Sequence, residues 1–416
     1  MSETNELKTG WRIIVASAVG VGCGLSAMPF YTLGAFAGPL ADEFGWSRGE
    51  IQFAIAFMVF GSLLMAPVIG YLADRIGVRP IALFSLASLA ATMAALSLAT
   101  KEVWTFYLGW AVMSTLAAGS TPITWTRAIT GWFDKQRGLA LGLALMGTGV
   151  SGAIVPFFAT YLIEAFGWRG AYVGLGVTIA VVSLPIVYLM FYERKDKAPA
   201  DPAAAPVVEF GLSLGSALRG YRFWVMAVAF CIVSIGVGGL IPNMIPLLGD
   251  IGYTPERAAA MAGLIGVTVI VGRIVAGLLL DRYWGPAVAF AFLATPTISC
   301  LILAGGGFGP IFTALAVALI GLAAGAEFDL IAYFASRYFG MKNYGKIYAG
   351  QFVFFALGAG LSPALFGAVF DNTGSYNLIL YIAAGFFAFG GGILLTLGRY
   401  PSQAELTEAP KAAAQA

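Results

Sequence analysis

Apolar residues in this chain gather into long uninterrupted runs, and polar residues are confined to the short breaks between them. A helix that crosses a bilayer needs about 20 mostly apolar residues. Twelve runs meet that requirement, at about 12–38, 51–72, 80–99, 103–127, 138–163, 169–191, 222–248, 258–280, 286–306, 309–335, 346–370 and 376–398. Gly and Pro inside them do not count against a membrane helix, because neighbouring helices re-satisfy the freed backbone groups. The pattern predicts an all-α polytopic membrane protein with twelve transmembrane helices.

The longest polar break runs from Tyr192 to Tyr221 and carries Glu193-Arg194-Lys195-Asp196-Lys197, then Pro199, Pro202 and Pro206 among alanines. It divides the runs six and six. The expected domains are residues 1–191 and 222–400 as two six-helix bundles, 192–221 as a flexible cytoplasmic linker, and 401–416 as a disordered cytoplasmic tail.

Basic residues orient the helices. With both termini cytoplasmic, 18 of the 23 Lys and Arg fall on inner segments. Arg48, Lys101, Arg169 and Arg257 fall on outer loops, and Arg273 alone is left inside a run. That bias supports a multi-pass protein of a bacterial-type inner membrane. Composition agrees: 59% of residues are hydrophobic and 11% charged, against about 25% charged in a soluble domain. The chain has no His, so His triads, His metal ligands and His proton relays are excluded. Cys23, Cys231 and Cys300 are scattered through apolar runs and form no disulfide or zinc framework. No metal, cofactor or catalytic residue is expected. The net charge of +2 carries no basic block, so no nucleic-acid partner is expected either. The sequence sets no oligomeric state, and a monomer is compatible with it.

The two halves are related. Pro39, Gly45, Gly70, Asp74, Arg75 and Gly138 recur 207 residues later as Pro246, Gly252, Gly277, Asp281, Arg282 and Gly345. A parallel repeat of this kind points to a transporter with its site near the midplane.

Gly70-Tyr71-Leu72-Ala73-Asp74-Arg75-Ile76-Gly77-Val78-Arg79 resembles the loop signature of the major facilitator superfamily, and Gly277-Leu278-Leu279-Leu280-Asp281-Arg282 resembles its second copy. The resemblance implies two pseudo-symmetric six-helix bundles. It also implies a cytoplasmic conformational latch at Gly70, Asp74, Arg75, Arg79, Gly277, Asp281 and Arg282; the plainer reading of these residues is a solvated positive-inside loop. Three further stretches resemble the monocarboxylate transporter and oxalate/formate antiporter branch: Pro39 to Arg48, Gly272-Arg273, and Arg337-Tyr338-Phe339-Gly340 leading to Tyr344-Gly345-Lys346-Ile347-Tyr348.

Sorting charges by depth leaves three inside the runs: Arg273, Glu327 and Asp329. Each costs about 2.5–3.5 kcal/mol on insertion scales, and such residues usually face a cavity or the bundle interior. The branch resemblance makes Arg273 the ligand of the substrate carboxylate, for which its planar fork is suited. The alternative is a snorkelling or charge-neutralising Arg, and about 12 Å of helix between Arg273 and Asp281 argues against snorkelling. Glu327 and Asp329 are two positions apart and so point to different faces. Asp329 matches the branch's acid on span 10 and is the first candidate for proton coupling, with Glu327 the second. An Arg–acid pair that only neutralises charge is the plainer alternative. The branch's frequent acid four residues before the Arg is replaced here by Val269, and span 11 has no interior Lys, which argues against a dianion. Arg127 is the one candidate second cation, with a positive-inside role the simpler assignment.

Tyr31, Thr121, Thr124, Trp125, Asn243, Tyr333, Gln351 and Phe355 lie on spans that line the cavity in this superfamily, although interhelical packing is the commoner role for any one aromatic. The expected function is secondary active transport of a small organic monocarboxylate with proton symport. The alternatives are a carboxylate exchanger of the oxalate/formate type, a carrier of bulkier aromatic acids, and, remotely, a non-transporting membrane receptor. The expected partners are a small organic anion, a proton and the lipid bilayer. An enzyme is not expected.

Overall fold

The computed structural model describes residues 6–133, 137–192, 211–340, 342–402 and 405–406, without the side chains of Asp74 and Arg137. Of the predicted linker, 193–210 lie outside these residues, whereas 211–221 are described and contain a short helix, Leu214–Arg219, where composition predicts a flexible segment; of the predicted tail, only 401–402 and 405–406 are described. The α-helices are α1 (Glu6–Gly22), α2 (Met28–Phe44), α3 (Arg48–Ile76), α4 (Val78–Ala95), α5 (Val103–Leu116), α6 (Pro122–Trp132), α7 (Arg137–Thr178), α8 (Leu184–Met190), α9 (Leu214–Arg219), α10 (Tyr221–Asp250), α11 (Pro255–Leu280), α12 (Gly285–Leu293), α13 (Pro296–Ala304), α14 (Pro310–Phe339), α15 (Tyr344–Thr373) and α16 (Asn377–Ile393); the one β contact among the described residues is an isolated bridge between Gly211 and Gly340.

Among the described residues, nine helices are long and apolar enough to cross a membrane. The count falls below twelve for two local reasons. Leu139–Met190 runs as one apolar stretch, yet it bends at Gly167, whose φ of 69° and ψ of 170° are not helical. It therefore covers two predicted runs. Two further runs are each split into a pair of shorter helices, α1 with α2 and α5 with α6.

Proline explains both splits. Pro29 stands at the start of α2 and Pro122 at the start of α6, and a proline removes an N–H and clashes with the carbonyl four residues back. The two breaks brace each other. The Leu25 amide donates to Ser120 Oγ at 3.0 Å, Trp125 Nε1 donates to the Ser120 carbonyl at 3.0 Å, and Ser151 Oγ donates to the Gly22 carbonyl. Backbone groups that lose a helical partner are thus satisfied by side chains.

Helix ends follow the local sequence. Ser47 and Glu50 form a reciprocal capping box at the start of α3. Gly45 ends α2 in the left-handed region, as Gly does at many helix C-termini. The repeat is visible in the backbone: Gly45 and Gly252, and Gly167 and Gly374, are 207 residues apart and all have positive φ.

Contacts group the chain into two compact units. One comprises Met1–Ala198, Leu240–Val267 and Pro363–Ser375. The other comprises Pro199–Gly239, Thr268–Ser362 and Tyr376–Ala416. In the first unit α7 and α11 touch backbone to backbone: a Cβ on Gly266 would lie 2.0 Å from the Ala153 amide nitrogen.

Candidate functional site

In the second unit, α11 carries Arg273 and α14 carries Glu327 and Asp329. Two glycines bring these helices together. A Cβ on Gly272 would lie 2.4 Å from the Leu322 carbonyl oxygen, and one on Gly325 would lie 2.1 Å from that of Val269. Small residues let membrane helices approach this closely. Val269, which replaces the branch's usual acid, is therefore a backbone contact surface here.

The crossing sets Arg273 Nε 3.2 Å from Asp329 Oδ2, with side chains 14% and 34% exposed. The two charges sum to zero. A guanidinium carries five N–H donors, more than one carboxylate accepts, so the pair retains capacity for a second anion. Glu327 points elsewhere. It is 1% exposed, and its Oε1 has no hydrogen-bond partner. A charged carboxylate there would be buried and unpaired, which is costly.

Beside the pair runs an aromatic ladder on α15. Tyr344 stacks on Tyr348 at 5.7 Å, Tyr348 on Phe352 at 6.3 Å, and Phe352 on Phe355 at 5.5 Å. Phe328 of α14 closes on Phe355 at 4.6 Å. These rings are only partly buried, and Tyr348 lies in the field of both Asp329 and Arg273. Phe355 is the one member singled out from the sequence. The spacing of 344, 348, 352 and 355, which puts all four on one helical face, is the signal that marks the others.

The remaining candidates are placed as follows. Asn243 Nδ2 donates to the Pro363 carbonyl at 3.1 Å, Gln351 Nε2 to that of Phe223 at 2.9 Å, and Tyr333 hydroxyl to that of Leu280 at 3.3 Å. Each ties one helix to another. Trp125 is fully buried and packs on Phe191 at 4.8 Å. Thr121 Oγ1 donates to the Ala118 carbonyl at 2.8 Å. Thr124 is 1% exposed, with its hydroxyl unpaired. A Cβ on Gly152 would lie 3.1 Å from the Tyr31 ring. Arg127 is exposed.

At the signature loop, Arg79 Nη2 donates to the Tyr188 carbonyl at 2.7 Å, and Arg75 lies 4.7 Å from the Tyr71 ring centre. Asp281 and Arg282 are exposed, and a Cβ on Gly70 or Gly277 would meet nothing within 4 Å. Asp74 lies in α3, with its side chain outside the described residues. No group of three or more Cys, Asp or Glu able to hold a metal occurs among the described residues.

Comparison with known proteins adds the following. Residues 19–363 match the Major Facilitator Superfamily. The chain is 26% identical to mouse (Mus musculus) monocarboxylate transporter 11, over 94% of this chain and 88% of that protein. It is 28% identical to bovine (Bos taurus) monocarboxylate transporter 13, over 94% and 90%. It is 24% identical to the Escherichia coli K12 MFS-type transporter YhjX, over 84% and 87%. Among solved structures, a bacterial homologue of the human lysosomal transporter Spinster, crystallised inward-facing and unoccupied, superposes with a TM-score of 0.67 at 18% identity, covering 97% of this chain and all of that one.

Proposed function

The chain belongs to the Major Facilitator Superfamily and is a secondary transporter, not an enzyme, distantly related to monocarboxylate transporters, and from that premise we propose that it carries a small organic monocarboxylate by alternating access, with a proton as co-substrate. The observation that carries this reading is the Arg273–Asp329 contact. An incoming carboxylate adds a third charge to a neutral pair. Protonation of Asp329 returns the site to neutrality, and that balance makes symport the favoured mode. The ladder from Tyr344 to Phe355 supports a substrate with an apolar or aromatic tail, since aromatic faces attract such groups. A carrier of aromatic acids is therefore the second reading.

Alternating access then needs the signature loops at Gly70–Arg79 and Gly277–Arg282 to hold and release the cytoplasmic side, with both termini cytoplasmic and the protein in a bacterial-type inner membrane. The distribution of Lys and Arg supports that orientation. The two six-helix halves, 1–191 and 222–400, are the bodies that rock.

The test is uptake of a series of carboxylates, from lactate-sized to benzoate-sized, into proteoliposomes. Arg273→Ala and Arg273→Lys should both lose transport, since Lys keeps the charge but not the fork; wild-type rates in either would sink the carboxylate-ligand role. Asp329→Asn should abolish accumulation driven by a pH gradient while leaving counterflow measurable. Undiminished accumulation would clear Asp329 of coupling.

A further inference from the structure

We propose that Arg48, Asp250 and Asp371 form a latch that holds the face opposite the termini shut and must part once in every transport cycle; the proposal rests on the alternating-access reading above. All three residues lie in the first compact unit. Arg48 is the first residue of α3, Asp250 the last of α10, and Asp371 lies in the last turn of α15.

The placement of the acids is the first argument. A carboxylate near a helix C-terminus faces the negative end of its own dipole, an unfavourable position. Both acids stand there, and both are turned onto the start of α3, Asp371 onto its backbone N–H groups and Asp250 onto the Arg48 side chain. Asp371 accepts from the backbone N–H groups of Arg48 at 3.0 Å and Gly49 at 2.8 Å. Asp250 takes the Arg48 guanidinium with both oxygens, at 2.6 Å and 2.8 Å. Such bidentate, charge-assisted contacts are the strong ones. The guanidinium also lies 3.7 Å from the Phe370 ring centre. When the ends separate, each acid is left on the wrong end of its own helix and α3 loses two N-terminal partners.

The seam continues inward. A Cβ on Gly367 would lie 2.6 Å from the Gly49 nitrogen, so the backbones touch. One turn deeper, Gln52 is fully buried and donates to the Pro242 carbonyl at 3.1 Å. The repeat does not duplicate the device. Position 255, which is 207 residues beyond Arg48, is Pro. It has no N–H to offer and no charge. The counterpart of Asp371 is Glu164, which lies beside another acid, Glu256.

The test is the rate at which a membrane-impermeant maleimide labels Gln52→Cys from outside, in protein lacking Cys23, Cys231 and Cys300. Adding Arg48→Ala should raise the rate about three- to thirtyfold, the summed range for a solvent-reachable ion pair and its ring contact. Asp250→Asn should raise it in the same direction. Arg48→Lys, which keeps the charge without the fork, should fall between. Each variant is first checked for a single monodisperse peak and an unchanged helical spectrum. Equal labelling rates in folded Arg48→Ala, Asp250→Asn and parent protein would overturn the latch. Labelling needs no substrate, so failure of carboxylate uptake and failure of the latch are read separately.

Discussion

Glu43 and Asp250 occupy the same place in the two repeats, 207 residues apart. Each sits at the C-terminal end of its helix, α2 for Glu43 and α10 for Asp250. Their partners differ. Glu43 is held by Trp168 and Arg169, just past the Gly167 bend of its own repeat. Asp250 is held by Arg48, which belongs to the other repeat. The sequence supplies the reason: the positions equivalent to Trp168 and Arg169 are Ser375 and Tyr376, neither of which offers a cation. One acid braces a half to itself, and the other joins one half to its copy. Equivalent residues in a duplicated fold thus divide into a static contact and a separable one according to where their cation comes from.

The largest effect that would test this contrast is on Asp250. Asp250→Asn should shift the protein toward the state open opposite the termini and change the rate of transport, whereas Glu43→Gln should leave maleimide labelling at Gln52→Cys unmoved. If both changed labelling alike, the division between brace and latch would fail. The next effect is on stability. Glu43→Gln should lower the melting temperature in detergent, because the amide offers one neutral acceptor oxygen where the carboxylate offers Trp168 and Arg169 two charged ones. The pH dependence follows with a definite sign. Hydrogen bonds from Trp168, then from Arg169, hold the Glu43 carboxyl below the usual carboxylate range. A lowered pKa in the folded state contributes stability above the unfolded value and loses it as pH falls through the folded value. Thermal scans should show the Glu43→Gln difference shrinking below the ordinary carboxylate range and constant above it. The smallest effect is at Phe370. Phe370→Leu removes only the ring beneath Arg48, worth about 0.5–1 kcal/mol at a solvent-reachable site, and should raise labelling about two- to fivefold.

Much of this molecule is legible in its sequence, because a bilayer imposes simple rules. Twelve apolar runs and one offset of 207 are visible without coordinates. The breaks in the first and fourth runs are not, since averaging over an apolar run hides a local interruption. Pro29 and Pro122 were the available signals, and they become decisive only once Ser120 and Ser151 are seen to satisfy the freed backbone. Arg273 and Asp329 stand out because charge is costly in an apolar run. Their contact depends on Gly272 and Gly325 meeting backbone of the neighbouring helix, which no spacing rule reports. Asn243 and Gln351 read as cavity residues, yet each donates to a backbone carbonyl of another helical segment. Arg48 was the reverse case. By charge alone it is one outer-loop cation among four, and its two carboxylate neighbours come from 202 and 323 residues away.

The Arg48–Asp250 contact belongs to the carrier and not to its cargo, so its free energy is lost on opening and recovered on closing. Around a closed cycle it cancels. The ratio of inside to outside substrate at which net flux stops is fixed by the driving gradients alone. Loosening the contact alters how quickly that plateau is reached, and the plateau keeps its height.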